Sequence, residues 1–211
     1  MSAAGTFFQS LWIGLAIAAP VGPIGLLVIQ RTLRHGRAIG LVTGLGAAVA
    51  DAVYGAIGAF GVTMLINALQ AARVPLALLG GAFLLWLAWR TWRSAPADHA
   101  ASAGGGPGVA GAFAGTFVLT LSNPATIFSF IAIFGAMRAR DGAAVAAPGW
   151  MVAGVLLGSA LWWLALSVAV GALRERFDAR RRRFVNAVSA IGLAAFALWQ
   201  WLGLIPGLVP D

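Results

Sequence analysis

The stretch Ala19-Pro20-Val21-Gly22-Pro23-Ile24-Gly25 lies inside an apolar run that starts near Phe7 and ends at Gln30. Each proline lacks an N–H, and each ring crowds the carbonyl four residues back, so Pro20 and Pro23 do not share one undistorted helix. Gly22 between them lets the backbone turn sharply. The spacing predicts a broken helix. One piece ends near Ala19, and a second starts near Pro23 with its first N–H groups unpaired. In water this would be a loop. In a bilayer, unpaired backbone is tolerated only against protein or a water-filled cavity. The rest of the chain is therefore read as the housing of that cavity.

Composition points to lipid. Of 211 residues, 61% are hydrophobic and only 9% are charged, whereas about a quarter are charged in soluble domains. The 28 glycines suit close helix packing in a membrane. All fourteen basic residues are arginines, for a net charge of +8. They fall in short loops between apolar spans, which favours membrane orientation over nucleic-acid binding. The chain has no cysteine, so disulfides, thiol redox chemistry and thiolate metal sites are excluded. Residues 1–10 hold no basic side chain, and no cleavable signal peptide is expected.

Runs of about 20 apolar residues mark transmembrane helices. Six are expected, near 7–30, 38–65, 75–89, 109–137, 150–173 and 184–205. Arg31 to Arg37 reads as a compact basic loop, and Trp89 to Arg93 as an interface anchor. The loops after spans one, three and five hold three, two and six arginines, against one and two after spans two and four. Basic loops stay in the cytoplasm, so both termini are expected outside. The six-arginine loop at 174–183 also suits anionic lipid.

One transmembrane domain is expected over residues 1–211: repeat one at 1–94, a linker rich in Ala, Gly, Ser and Pro at 95–108, and repeat two at 109–211. Three spans per half force opposite orientations. The fold class is thus an all-α integral membrane protein of six helices in two inverted repeats, with the first and fourth helices broken by proline. Each half opens with a break, at Pro20 and Pro23 and at Ser122-Asn123-Pro124. Each break is followed by a short Arg and Gly loop, and the next span carries Gly40/Gly44 or Gly154/Gly158. Matching interruptions in two inverted halves point to a transporter's midplane site.

The candidate site follows from the breaks. Open half-helix N-termini near Pro20, Gly22, Pro23 and Ile24, and near Asn123, Pro124 and Ala125, carry partial positive charge and free N–H donors that suit a carboxylate. The plain alternative is a pair of kinks. Asp51 is the acidic residue inside a span. At a helix centre it costs about 2.5–3.5 kcal/mol, so it holds an ammonium group, carries a proton, or is a neutral group bonded to a neighbouring helix at a residue such as Asn123. Asn123 can cap the following half-helix. Tyr54 shares a helix face with Asp51; its hydroxyl reaches the cavity or settles a local hydrogen bond. Gln30 and Arg31 read as interface anchors, and Trp162 and Trp163 as packing residues. His35 and His99 are isolated, and no metal or cofactor is expected.

Together Ala19–Pro23, Arg31–Gly36, Gly44–Tyr54, Leu121–Ile127 and Gly154–Trp163 resemble, in order and spacing, the LysE/RhtB family of amino-acid exporters. The resemblance spans nearly the whole chain. It implies a multi-pass protein of the bacterial cytoplasmic membrane that exports amino acids or close derivatives, driven by the proton motive force. In such a protein the residue reading has Asp51 meet the ammonium group, carry the coupling proton, or alternate between the two. Many members carry Asn-Pro-Lys at the second break; here Ala125 follows Pro124, so no lysine role is carried over. The implied partners are an amino-acid substrate and lipid, with a homo-oligomer left open. The rivals are a cation exporter of the wider superfamily and a non-transporting scaffold. No nucleophile–base pair suggests an enzyme.

Overall fold

A computed structural model describes residues 2–20, 22–60, 73–93, 108–123, 126–133, 147–173, 179–202 and 204. The described residues form eight helices and no strand. These are α1 (Ala3–Ala18), α2 (Pro23–His35), α3 (Arg37–Ala59), α4 (Arg73–Arg93), α5 (Val109–Leu121), α6 (Thr126–Ile133), α7 (Pro148–Leu173) and α8 (Ala179–Leu202). The expectations placed on the linker, on Pro124 and Ala125, on Arg138–Gly142 and on the C-terminal tail lie outside the described residues.

The proline rule holds at the first break. α1 ends at Ala18, α2 starts with Pro23 in its first turn, and the two are bent by 78°. α5 and α6 are bent by 58° across the second break. Gly22 corrects one expectation. Its φ of −101° is ordinary extended backbone, favoured for any residue before proline. The residue that does need glycine is Gly36, whose φ of 91° turns the chain from α2 directly into α3. The expected basic loop is therefore mostly helix. Nothing between Gln30 and His35 stops a helix, so α2 runs through Arg31 and Arg34 to Gly36.

Small residues set the packing. α1 buries Thr6, Ser10, Gly14 and Ala18, a four-residue stripe, against α7. There Gly154 and Gly158 lie on the backbone of Phe7 and Leu11, and Gly14 lies on the backbone of Val155. Any Cβ at these positions would strike a carbonyl, so the helices approach as closely as backbone allows. α3 packs on α5 in the same way, with Gly46 on the Phe113 carbonyl. α3 also packs on α7, and α4 on α8, where the Trp201 indole donates to the Ala77 carbonyl at 3.2 Å. Thus α1 and α3 both lie on α7, α3 also meets α5, and α4 pairs with α8.

The outer surface is apolar. Leu157, Leu161, Leu164 and Val168 form an exposed stripe along one face of α7, a surface that lipid rather than water accommodates. The chain is a helical, multi-pass membrane protein. Among the described residues α3 and α7 are each long and apolar enough to cross a bilayer, with mean hydropathy of 1.5 and 1.9; counting each bent pair as one span gives up to four.

Candidate functional site

The first break builds half of a site. With Pro23 lacking an N–H and Leu26 N–H bonded to the Gly22 carbonyl at 3.0 Å, the N–H groups of Ile24 and Gly25 are the donors that helix geometry leaves over at the start of α2. Gly22 has no side chain to cap them, and a Cβ built there meets nothing within 4 Å. The open space is a cavity of about 320 Å³. Its lining includes Ile17, Ala18, Pro20, Gly22, Pro23, Ile24 and Gly25 from the first break. Ala47 and Asp51 come from α3, Thr120, Asn123, Thr126 and Ser129 from the second break, Trp163 from α7 and Phe196 from α8.

Six sequence-designated residues therefore meet at one place: Pro20, Gly22, Pro23, Ile24, Asp51 and Asn123. The designated Pro124 and Ala125 lie outside the described residues. Asn123 lines the cavity and starts α6 through its backbone, its carbonyl accepting from Ile127 N–H at 3.1 Å.

Asp51 is 3% exposed and is the acidic residue present among the described residues. Its Oδ2 accepts from the Ser159 hydroxyl at 2.7 Å, and Ser159 Oγ in turn accepts from the Trp163 indole at 3.1 Å. The hydrogen-bonding neighbour is thus Ser159 on α7, not Asn123. The close approach of α3 and α7 decides this: Gly44 sits directly on the Trp163 side chain, which brings the two helices within hydroxyl reach. Trp163 packs in the core as expected and also lines the cavity, while Trp162 packs against that core. Ser159 and Trp163 carry a faint sequence signal, a hydroxyl and an indole four residues apart on one helix face.

Tyr54 is placed beside the site rather than in it. Its hydroxyl donates to the Leu121 carbonyl at 2.6 Å, and its ring stacks on Phe130 with centroids 5.4 Å apart. It satisfies a carbonyl that the end of α5 leaves over and holds α6 against it.

Gln30 and Arg31 are not interface anchors. Gln30 is buried and donates to Thr91 Oγ1 at 2.8 Å. Arg31 is 9% exposed, and its Nη1 reaches Thr43 Oγ1 at 3.2 Å, the Ala112 carbonyl at 3.0 Å and Thr116 Oγ1 at 3.3 Å. Those partners lie on α3 and α5, so no local pattern announced them.

A family model described as LysE type translocator matches residues 15–200. Among curated proteins, the chain is 33% identical to "Uncharacterized membrane protein YahN" of Escherichia coli K12, over 82% of this chain and 78% of that one. It is 25% identical to "Putative amino acid efflux protein YcgF" of Bacillus subtilis 168, over 92% and 93%. It is 29% identical to "Chemotactic transduction protein ChpE" of Pseudomonas aeruginosa, over 91% and 97%. No solved structure matches the chain.

Proposed function

The chain belongs to the LysE type translocator family, and from that premise we propose that it exports amino acids or close derivatives across the bacterial cytoplasmic membrane. One observation carries the reading: the open N-terminus of α2 and the Asp51 carboxylate face the same cavity. An amino acid offers an anion and a cation on one carbon. The carboxylate sits at the Ile24 and Gly25 N–H groups, where the helix dipole is positive, with Asn123 of the second break lining the same cavity. The ammonium group meets Asp51, whose Oδ1 has no hydrogen bond among the described residues. The volume of about 320 Å³ falls at the small end of the roughly 300–1,000 Å³ usual for small-molecule sites.

The transport cycle is alternating access between two inverted halves of three spans, both termini outside. Its support is the crossed packing of α1 on α7 and α3 on α5 and the arginine bias of alternate loops. Asp51 couples export to proton entry: a proton arriving from outside neutralises it and releases the ammonium group. The amino-acid efflux reading also draws on the name of the Bacillus relative. A cation exporter would need several oxygen ligands, usually with more than one carboxylate, and Asp51 is the single carboxylate among the described residues lining the cavity.

Counterflow in proteoliposomes against the common amino acids tests the reading, with D51N beside the unaltered chain. Exchange that D51N abolishes, together with its pH dependence, is the expected result. No exchange of any amino acid by the unaltered chain overturns the function, and unchanged export by D51N across external pH removes Asp51 from it.

A further inference from the structure

Arg31 is a buried cation with no ion pair among the described residues. Its three hydrogen bonds go to neutral acceptors on α3 and α5, and all three fall on Nη1. Asp51 is the acid present among the described residues, and it is bonded to Ser159 instead. Arg90 adds a second positive charge to the surroundings of Arg31. Charged side chains inside membrane proteins are costly, and they mark ion and substrate pathways.

The geometry of the remaining donors narrows the partner. Nε–H and Nη2–H form one edge of the guanidinium, and neither has a hydrogen bond among the described residues. That edge is the fork that takes a carboxylate with two parallel bonds. Its Nη2 end lies beside Gly115 on α5, where an added Cβ would find only Nη2 within 4 Å, at 3.9 Å. No side chain from that position occupies the approach.

Position links this fork to the cavity. Arg31 lies eight residues beyond Pro23, about 12 Å along α2 at the usual rise. Its partner Thr116 lies one turn from Thr120, which lines the cavity. The two threonines and Arg31 form a polar track between α2 and α5. The arginine bias puts the Arg31 end of α2 toward the cytoplasm.

We infer that Arg31 is a second carboxylate-binding position for the exported amino acid, on the cytoplasmic side of the cavity. This rests on the export reading above. The substrate meets Arg31 first by its carboxylate, then moves outward to the N-terminus of α2 beside Asp51. The bonds from Nη1 to α3 and α5 hold the fork in place while it is empty.

The test uses the full chain in inside-out vesicles of phosphatidylcholine, with and without phosphatidylglycerol. Uptake of an accepted amino acid gives its KM, and competition by its carboxamide, which keeps the ammonium group and lacks the carboxylate, gives a second affinity. R31Q is expected to raise the KM of the amino acid at least about 10-fold and to leave the carboxamide affinity within about twofold. In right-side-out vesicles KM is unchanged. R31K keeps the charge without the fork and falls between; it decides the matter if R31Q does not fold. No transport by the unaltered chain overturns the export reading and this inference together. Transport with an unchanged KM in the variant, or equal shifts for acid and carboxamide, overturns this inference alone. An effect confined to phosphatidylglycerol vesicles assigns Arg31 to lipid phosphate and overturns it too.

Discussion

Ser159 donates a 2.7 Å hydrogen bond to Asp51 across 108 positions of sequence, joining α7 to α3. The carboxyl group is thereby fixed at one oxygen, and the proposed function assigns the other to the ammonium group. Hydrogen bonds to charged groups contribute about 1.5–3 kcal/mol. S159A is expected to lower kcat/KM for amino-acid counterflow by roughly 10-fold or more. Because D51N is expected to abolish exchange, the coupling is read on stability: the S159A/D51N pair is expected to melt no lower in detergent than D51N alone, because both changes act on one interaction. Additive losses in the double variant would show that Ser159 acts elsewhere.

Tyr54 separates a structural role from a transport role. Its hydroxyl bonds the Leu121 carbonyl and its ring stacks on Phe130, while neither belongs to the cavity wall. Y54F keeps the stacking and leaves that carbonyl unsatisfied, at a cost of about 1–3 kcal/mol. The expected outcome is a lower thermal denaturation midpoint in detergent with KM unchanged. A raised KM at unchanged midpoint would return Tyr54 to the binding site.

How much of this was legible depends on where each signal resides. Pro20 and Pro23 act on their own backbone, so the first break could be read from seven residues. Asp51 stands out because an acid in an apolar run is anomalous in itself. The glycine pairs announce close packing because only a missing Cβ permits it. Gln30 to His35 misled because its polar side chains resemble a loop, while backbone sterics let α2 continue to Gly36. The burial of Arg31 depends on Ala112 and Thr116, 81 and 85 positions away. The Ser159 bond to Asp51 depends on α3 meeting α7 at Gly44 and Trp163. Neither contact has a local pattern.

The contact between α1 and α7 is a backbone-on-backbone approach, and it has an internal control. A Cβ at Gly158 strikes the Leu11 carbonyl, which cannot swing aside, whereas one at Gly149 on the same helix meets nothing within 4 Å. G158A is expected to cost about 1–3 kcal/mol through overpacking. G149A is expected to be neutral within about 0.5 kcal/mol. Thermal denaturation of the two purified variants checks the difference. Equal midpoints would mean that α1 does not lie on α7 as described.

Gly22 offers the most direct test of the cavity. Its φ of −101° is open to any residue, and its missing side chain borders open space rather than a neighbour. A substitution there should therefore not disturb folding through strain or collision, only fill volume. G22A adds one methyl group and is expected to retain transport with a modest rise in KM. G22L projects a larger apolar group across the Ile24 and Gly25 N–H donors, covering the positive end of α2 that the substrate carboxylate uses. Its expected outcome is a denaturation midpoint like that of the unaltered chain and at least about a 100-fold loss of counterflow, the scale set by removing a charge-assisted contact and its access together. G22L that transports at the unaltered rate would place the substrate path elsewhere. G22L that fails to fold, beside a stable G22A, would show that the space is packed in the protein rather than open.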